Sequence, residues 1–170
     1  MSIKILGAIL VIIGCGGFGW KLAAMHRREE RMLREFISIL DYMACELQYR
    51  MTPLPDLCRQ AAAECKVQLR TVFMLLAREL EDQIQPNVEQ CVNAVLMKVK
   101  SLPEKTEEGM VLLGRSLGRF DIEGQLRGFE SVRQECRRAL ESLTRNKDVR
   151  LRSYQTLGLC AGAALAILFV

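Results

Sequence analysis

ILGAILVIIGCGGFGWKLAAMHRR, residues 5–28, decides how the rest of the chain is read. Residues 5–20 carry no charge, Lys4 stands before them, and Lys21, Arg27 and Arg28 follow. With Ile3 and the stem of Lys21 the run makes about 20 residues of helix, enough to cross a hydrocarbon core of about 30 Å. The first reading is therefore a retained membrane helix over residues 1–25. Cleavage as a signal peptide needs small residues at −1 and −3; Ala23 and Ala24 supply the first, but Lys21 and Leu22 then occupy the second. Ile12-Ile13-Gly14-Cys15 loosely fits the motif that ends in a lipid-modified cysteine, whereas the basic cluster follows the run instead of preceding it. Both fates for Cys15, acylated or simply a small residue in an apolar helix, stay open at this point.

A second uncharged run closes the chain, LGLCAGAALAILFV at residues 157–170. Residues 154–170 can just span as a second membrane helix, and the alternative is a buried C-terminal helix. Gly158, Gly162 and Ala166 recur at steps of four, a small-residue stripe that allows close packing of membrane helices. Between the runs, residues 26–153 suffice for one domain with a modest core. All the acidic residues, and every basic residue except Lys4 and Lys21, lie in that segment, so the chain's net charge of +4 falls to about +2 there. A nucleic-acid binder shows a stronger basic bias. The basic residues that cluster do so beside the apolar runs: Arg27, Arg28, Arg31 and Arg34, then Arg145, Lys147, Arg150 and Arg152. The positive-inside rule puts both clusters, and the segment between them, in the cytoplasm. Membrane lipids are a partner these clusters could touch, and ordinary stop-transfer flanks explain them equally well.

The middle segment reads as helix throughout, giving an all-α, membrane-anchored bundle of about six helices. Leu33, Ile37, Leu40, Ala44 and Leu47 recur in alternating steps of four and three, and Phe36 and Met43 widen that seam. A coiled-coil dimer and a helix packed inside its own bundle both fit. Thr52-Pro53-Leu54-Pro55 must end the first helix, and Pro55 suits the first position of the second. That helix runs to about Cys65, with Cys58, Ala61, Ala62 and Cys65 on one face. The third covers 68–84 with Val72, Leu75, Leu76, Glu79 and Leu80. The fourth follows an Asn87 N-cap to about Lys100, with Val88, Cys91, Val92, Val95 and Val99 inward. The fifth starts at Pro103-Glu104, carries Met110, Leu113 and Leu117, and closes at Gly118 in a left-handed cap. Asp121 caps a long sixth helix lined by Leu126, Phe129, Val132, Cys136, Leu140 and Leu143.

Chemistry-bearing patterns are missing from this list. The only histidine is His26, beside the first apolar run. Gly14-Cys15-Gly16-Gly17 lies inside that run, and Leu113–Gly118 lacks the Gly-Lys-Ser/Thr of a phosphate loop. Seven cysteines, an odd number without C-x-x-C spacing, suit neither a disulfide framework nor a zinc site; a small buried role in a reducing compartment suits them better. No catalytic group, cofactor, metal or small-molecule substrate is expected. The residues alone describe a membrane-tethered helical interaction module.

Three stretches carry a family resemblance: Glu46-Leu47-Gln48-Tyr49-Arg50-Met51-Thr52-Pro53-Leu54; Leu117-Gly118-Arg119-Phe120-Asp121-Ile122-Glu123-Gly124-Gln125; and Tyr154-Gln155-Thr156-Leu157-Gly158 with the apolar run after it. In order, spacing and length the chain resembles the stage III sporulation protein AB family of endospore-forming bacteria. Gln155 stands where the resemblance leads one to expect a basic residue. The resemblance implies a component of the channel between mother cell and forespore, in the mother-cell membrane around the forespore, similar to type II secretion and type IV pilus machines. The soluble part is then similar to the helical cytoplasmic domains of the F-type platform protein. The implied partners are the secretion-type ATPase of the same apparatus and other membrane components of the channel, with the bundle passing ATPase motion to the membrane helices. The motifs make Tyr49, Thr52, Pro53, Leu54, Gly118, Asp121 and Gln125 candidates for partner contact. Turn and cap chemistry accounts for Thr52, Pro53, Gly118 and Asp121 by itself. A lipoprotein or coiled-coil tether with no ATPase partner is the other function the sequence allows.

Overall fold

A computed structural model describes the backbone of residues 2–83, 85–100, 102–118 and 121–169, and the side chains of 24–83, 85–100, 102–118 and 121–145. Six helices and no strand occur among them: α1 Ser2–Arg50, α2 Leu54–Glu64, α3 Val67–Asp82, α4 Val88–Lys98, α5 Glu104–Ser116 and α6 Ile122–Phe169. The chain divides into two compact units, Met1–Arg28 with Glu141–Val170, and Glu29–Leu140. The expected membrane spans, 1–25 and 154–170, and the stripe of Gly158, Gly162 and Ala166 fall almost wholly where side chains lie outside the described residues, as does Cys15. Among the described residues no helix is long and apolar enough to cross a membrane.

Within Glu29–Leu140, α1 touches α2, α3, α5 and α6. Leu33, Phe36 and Met43 are wholly buried, and Met32, Ile37, Ile39, Leu40 and Leu47 are buried beside them. The seam that suited a coiled-coil dimer is thus covered by helices of the same chain, which settles the choice for this stretch in favour of the bundle. Ala44 is only half-buried. Phe36 stacks on Phe73 of α3, with ring centroids 6.5 Å apart. A Cβ on Gly109 of α5 would lie 2.8 Å from Phe36 Cε1 and 2.9 Å from Cys136 Sγ, so α1, α5 and α6 meet where only a glycine fits.

Three carboxylates on α1 hold its neighbours. Glu29 accepts the backbone N–H of Lys105 in the first turn of α5, at 3.4 Å. Glu35 accepts the N–H of Lys66 at the start of α3, at 2.5 Å. Each meets the unpaired donors and partial positive charge of a helix N-terminus. Asp41 pairs with Arg133 of α6 at 2.5 Å, and that guanidinium also reaches Glu130.

Several sequence expectations need correction. α2 opens at Leu54, so Pro55 is the second helical residue and not the first. α1 ends because Met51 takes a left-handed backbone, φ 50°, one residue before Thr52-Pro53. α3 likewise ends at Asp82 on a left-handed Gln83, φ 49°, before the expected end at Ile84. Its buried stripe is Leu69, Val72, Phe73, Leu76, Ala77 and Glu79, which leaves Leu75 and Leu80 half-buried at its edge. Val88, Val99, Leu126, Leu140 and Leu143 are also half-buried instead of inward. The Asn87 cap is present, its side chain accepting from the Gln90 N–H at 2.9 Å.

Four cysteines serve as buried apolar residues: Cys58, Cys65, Cys91 and Cys136; Cys45 is exposed. Burial pushes the Cys58 and Cys65 thiols up to about 12, and Cys136 to about 11. A raised value means the folded state keeps the proton, and only the thiolate attacks. At about pH 8 an alkylating reagent is therefore expected to modify Cys45 quickly, and Cys58 and Cys65 only as the bundle opens. Mass spectrometry of the individual cysteine peptides over time checks this; equal rates at Cys45 and Cys58 would contradict it.

Candidate functional site

The register of the bundle decides where the motif residues lie. Asp41 beside Arg133, and Phe36 with Cys136 either side of Gly109, set α1 and α6 antiparallel. At equal rise along both helices, about 1.5 Å per residue, the start of α6 falls level with the end of α1. Tyr42 Oη donates to Gln60 of α2 at 3.4 Å, so α2 runs back along α1. Arg59 of α2 pairs with Glu81 near the end of α3, which returns α3 to the level where α2 began. Arg115 Nε lies 2.9 Å from Glu89, putting the start of α4 beside the end of α5. Residues 49–54, 85–88, 114–118 and 121–125 therefore gather at one end of the bundle, remote from Glu29 and Leu140.

Tyr49 and Met51 are exposed apolar side chains on the corner between α1 and α2. Thr52 and Leu54 are half-buried and Pro53 is exposed; the Pro53 carbonyl accepts the Leu57 N–H at 2.9 Å, so this segment also starts α2. Gly118 takes φ 75°, the left-handed conformation expected of it, but it does not cap α5, which ends at Ser116 on an extended Leu117. A Cβ on Gly118 would lie 2.7 Å from Val88 Cγ2. Asp121 Oδ1 accepts the Gly124 N–H at 3.0 Å, and its carbonyl accepts the Gln125 N–H at 2.9 Å. Asp121 is thus the N-cap of α6 as predicted, while Gln125 is half-buried one turn further on. Asp121→Ala is expected to cost about 1 kcal/mol in chemical denaturation, with Asp121→Asn close to wild type. A loss equal in both variants would assign the residue a role beyond capping.

Register brings the two motif segments to one end, yet of the candidate residues only Gly118 borders a cleft there. This cleft, of about 430 Å³, lies between the end of α3, residues 85–88 and the end of α5. Glu79, on its wall, is buried and bound by the Lys98 ammonium, and the Cys91 thiol faces its backbone carbonyl. Such paired, buried groups are structural. Sequence reasoning missed Met51, whose left-handed backbone and exposed side chain make it the most unusual residue at this end.

The family model for stage III sporulation protein AB matches residues 4–170. The chain is 22% identical over 171 residues to the Stage III sporulation protein AB of Bacillus subtilis (strain 168), spanning 99% of both. It is similar in fold to a solved structure of a Stage III sporulation protein AB, with a TM-score of 0.63 at 20% identity, covering 72% of this chain and 98% of that one. A family match over essentially the whole length, with the two motif segments in place, shows that the chain belongs to the stage III sporulation protein AB family.

Proposed function

We propose that this sporulation protein is a non-catalytic platform component of the mother cell–forespore channel, tethered by helices at 1–25 and 154–170 in the mother-cell membrane. Its bundle faces the cytoplasm, and its far end, around Tyr49, Met51 and Leu54 and the start of α6, receives the secretion-type ATPase. The observation that carries this reading is the continuity of α1 and α6, each a single helix from the bundle into a terminal apolar run. A displacement at the bundle travels along an unbroken helix, whereas a flexible linker would dissipate it. Exposed aromatic and thioether side chains on a protein surface suit a partner-binding corner.

The test is binding of the full chain, in detergent, to the purified ATPase of the same apparatus. Wild type is expected to bind, and Tyr49→Asp to bind at least about tenfold more weakly with an unchanged helical spectrum. No binding by a folded wild type would sink the ATPase assignment. Export of a reporter placed between residues 150 and 153 would sink the orientation.

A further inference from the structure

Along the side of the bundle, α5 and α6 leave between them an open groove of about 860 Å³. Gly128 of α6 packs so closely on Ser116 of α5 that a Cβ there would lie 2.5 Å from the serine Cβ, which fixes the two helices at that end. From there the groove runs back towards the start of α5, about 18 Å, or three helical turns. Its floor is apolar: Val111 and Leu112 are half-buried and Val132 is buried. Its rim carries four carboxylates, Glu104, Glu107 and Glu108 on α5 and Glu135 on α6. Lys105 reaches Glu108 and Arg138 reaches Glu135, but Glu104 and Glu107 have no ion-pair partner among the described residues. Arg115 is the one cation on the lining, and it is engaged by Glu89 of α4.

This local charge is opposite to the chain's net positive charge. Anionic lipid and nucleic acid both select Lys and Arg, so a carboxylate rim repels them. What complements acidic edges over an apolar floor is an amphipathic helix with an apolar stripe flanked by Lys or Arg, laid in as i, i+3, i+4 and i+7 anchors. We infer that the α5–α6 groove is a docking site for a basic amphipathic helix of another protein. The inference stands apart from the ATPase assignment, which concerns the far end.

The experiment uses the full chain in discs of phosphatidylcholine and a fluorescein-labelled peptide of about 14 residues, leucines at helical spacing and lysines elsewhere, read by anisotropy. Its counterpart carries glutamates in place of the lysines. Wild type is expected to bind the lysine peptide at least about tenfold more tightly than the glutamate peptide, with affinity falling as salt rises. Glu104→Gln with Glu107→Gln should weaken it about tenfold, and Leu112→Ser about fivefold, whereas Glu81→Gln with Asp82→Asn on α3 should leave it unchanged. Because every variant sits in the same discs, partition of the peptide into lipid cancels. No binding, equal binding of the two peptides, or full affinity in Glu104→Gln with Glu107→Gln overturns the proposal. Loss in that double variant with no loss in Leu112→Ser reduces the groove to a non-specific acidic patch and overturns it equally.

Discussion

Phe36→Ala is expected to lower the stability of the bundle by about 3–5 kcal/mol, the range for removing a large buried aromatic ring. The ring has no exposed surface, stacks on Phe73, and fills the space that Gly109 leaves open on α5. The aromatic pair alone contributes about 0.5–1.5 kcal/mol, and the cavity left behind is bordered by helix on three sides, so it cannot collapse. Against a typical total of about 5–15 kcal/mol, such a loss brings the fold close to its limit. Urea denaturation followed by circular dichroism should show a lower midpoint with an unchanged slope. Phe36→Leu should lose markedly less. A drop below about 1 kcal/mol for the alanine variant would mean that α1 is not held where α3 and α5 place it.

Gly118→Val is expected to cost about 2–5 kcal/mol from two separable causes. At φ 75° an L-residue loses about 1–2 kcal/mol to the backbone alone, more with a β-branch. The added atoms also run into Val88 Cγ2, 2.7 Å from the new Cβ, and overpacking of this kind costs about 1–3 kcal/mol. Val88→Ala in the same chain should recover the second part and not the first, so the double variant is expected between wild type and Gly118→Val. Recovery to full wild-type stability would show that the backbone is not left-handed there. Gly118 and Val88 both border the cleft, so the variant also narrows it.

Much of this architecture is written in the chain. Pro53 and Pro55, the Asn87 and Asp121 caps and the Gly118 turn mark helix ends by local chemistry, and local chemistry can be read locally. The seam on α1 shows that one face is buried, but only packing tells whether a second chain or the same one covers it. Met51 and Gln83 adopt left-handed backbones without being glycine or asparagine, so composition gives no warning of either turn. In α3 the apolar residues are dense enough to support two neighbouring stripes, and Phe36 on the facing helix selects the one that contains Phe73. The close approach at Gly109, and that at Gly114, where a Cβ would lie 2.9 Å from Val92 Cγ2, depend on side chains far away in sequence, as does the gathering of residues 49–54 and 121–125 at one end. That last feature needs the register of α1 against α6, which no motif encodes.

Glu29, Glu35 and Asp41 recur on α1 every six residues, and each grips a different helix: α5, α3 and α6. Six residues advance about 9 Å and turn about 240°, so successive grips point about 120° apart around the axis. The helix is stayed like a mast by three guys set at different heights. Leaning it in any direction slackens one stay and loads the others, and turning it about its own axis strains all three at once. A torque applied to α1 is therefore resisted at three levels of the helix, not at one joint.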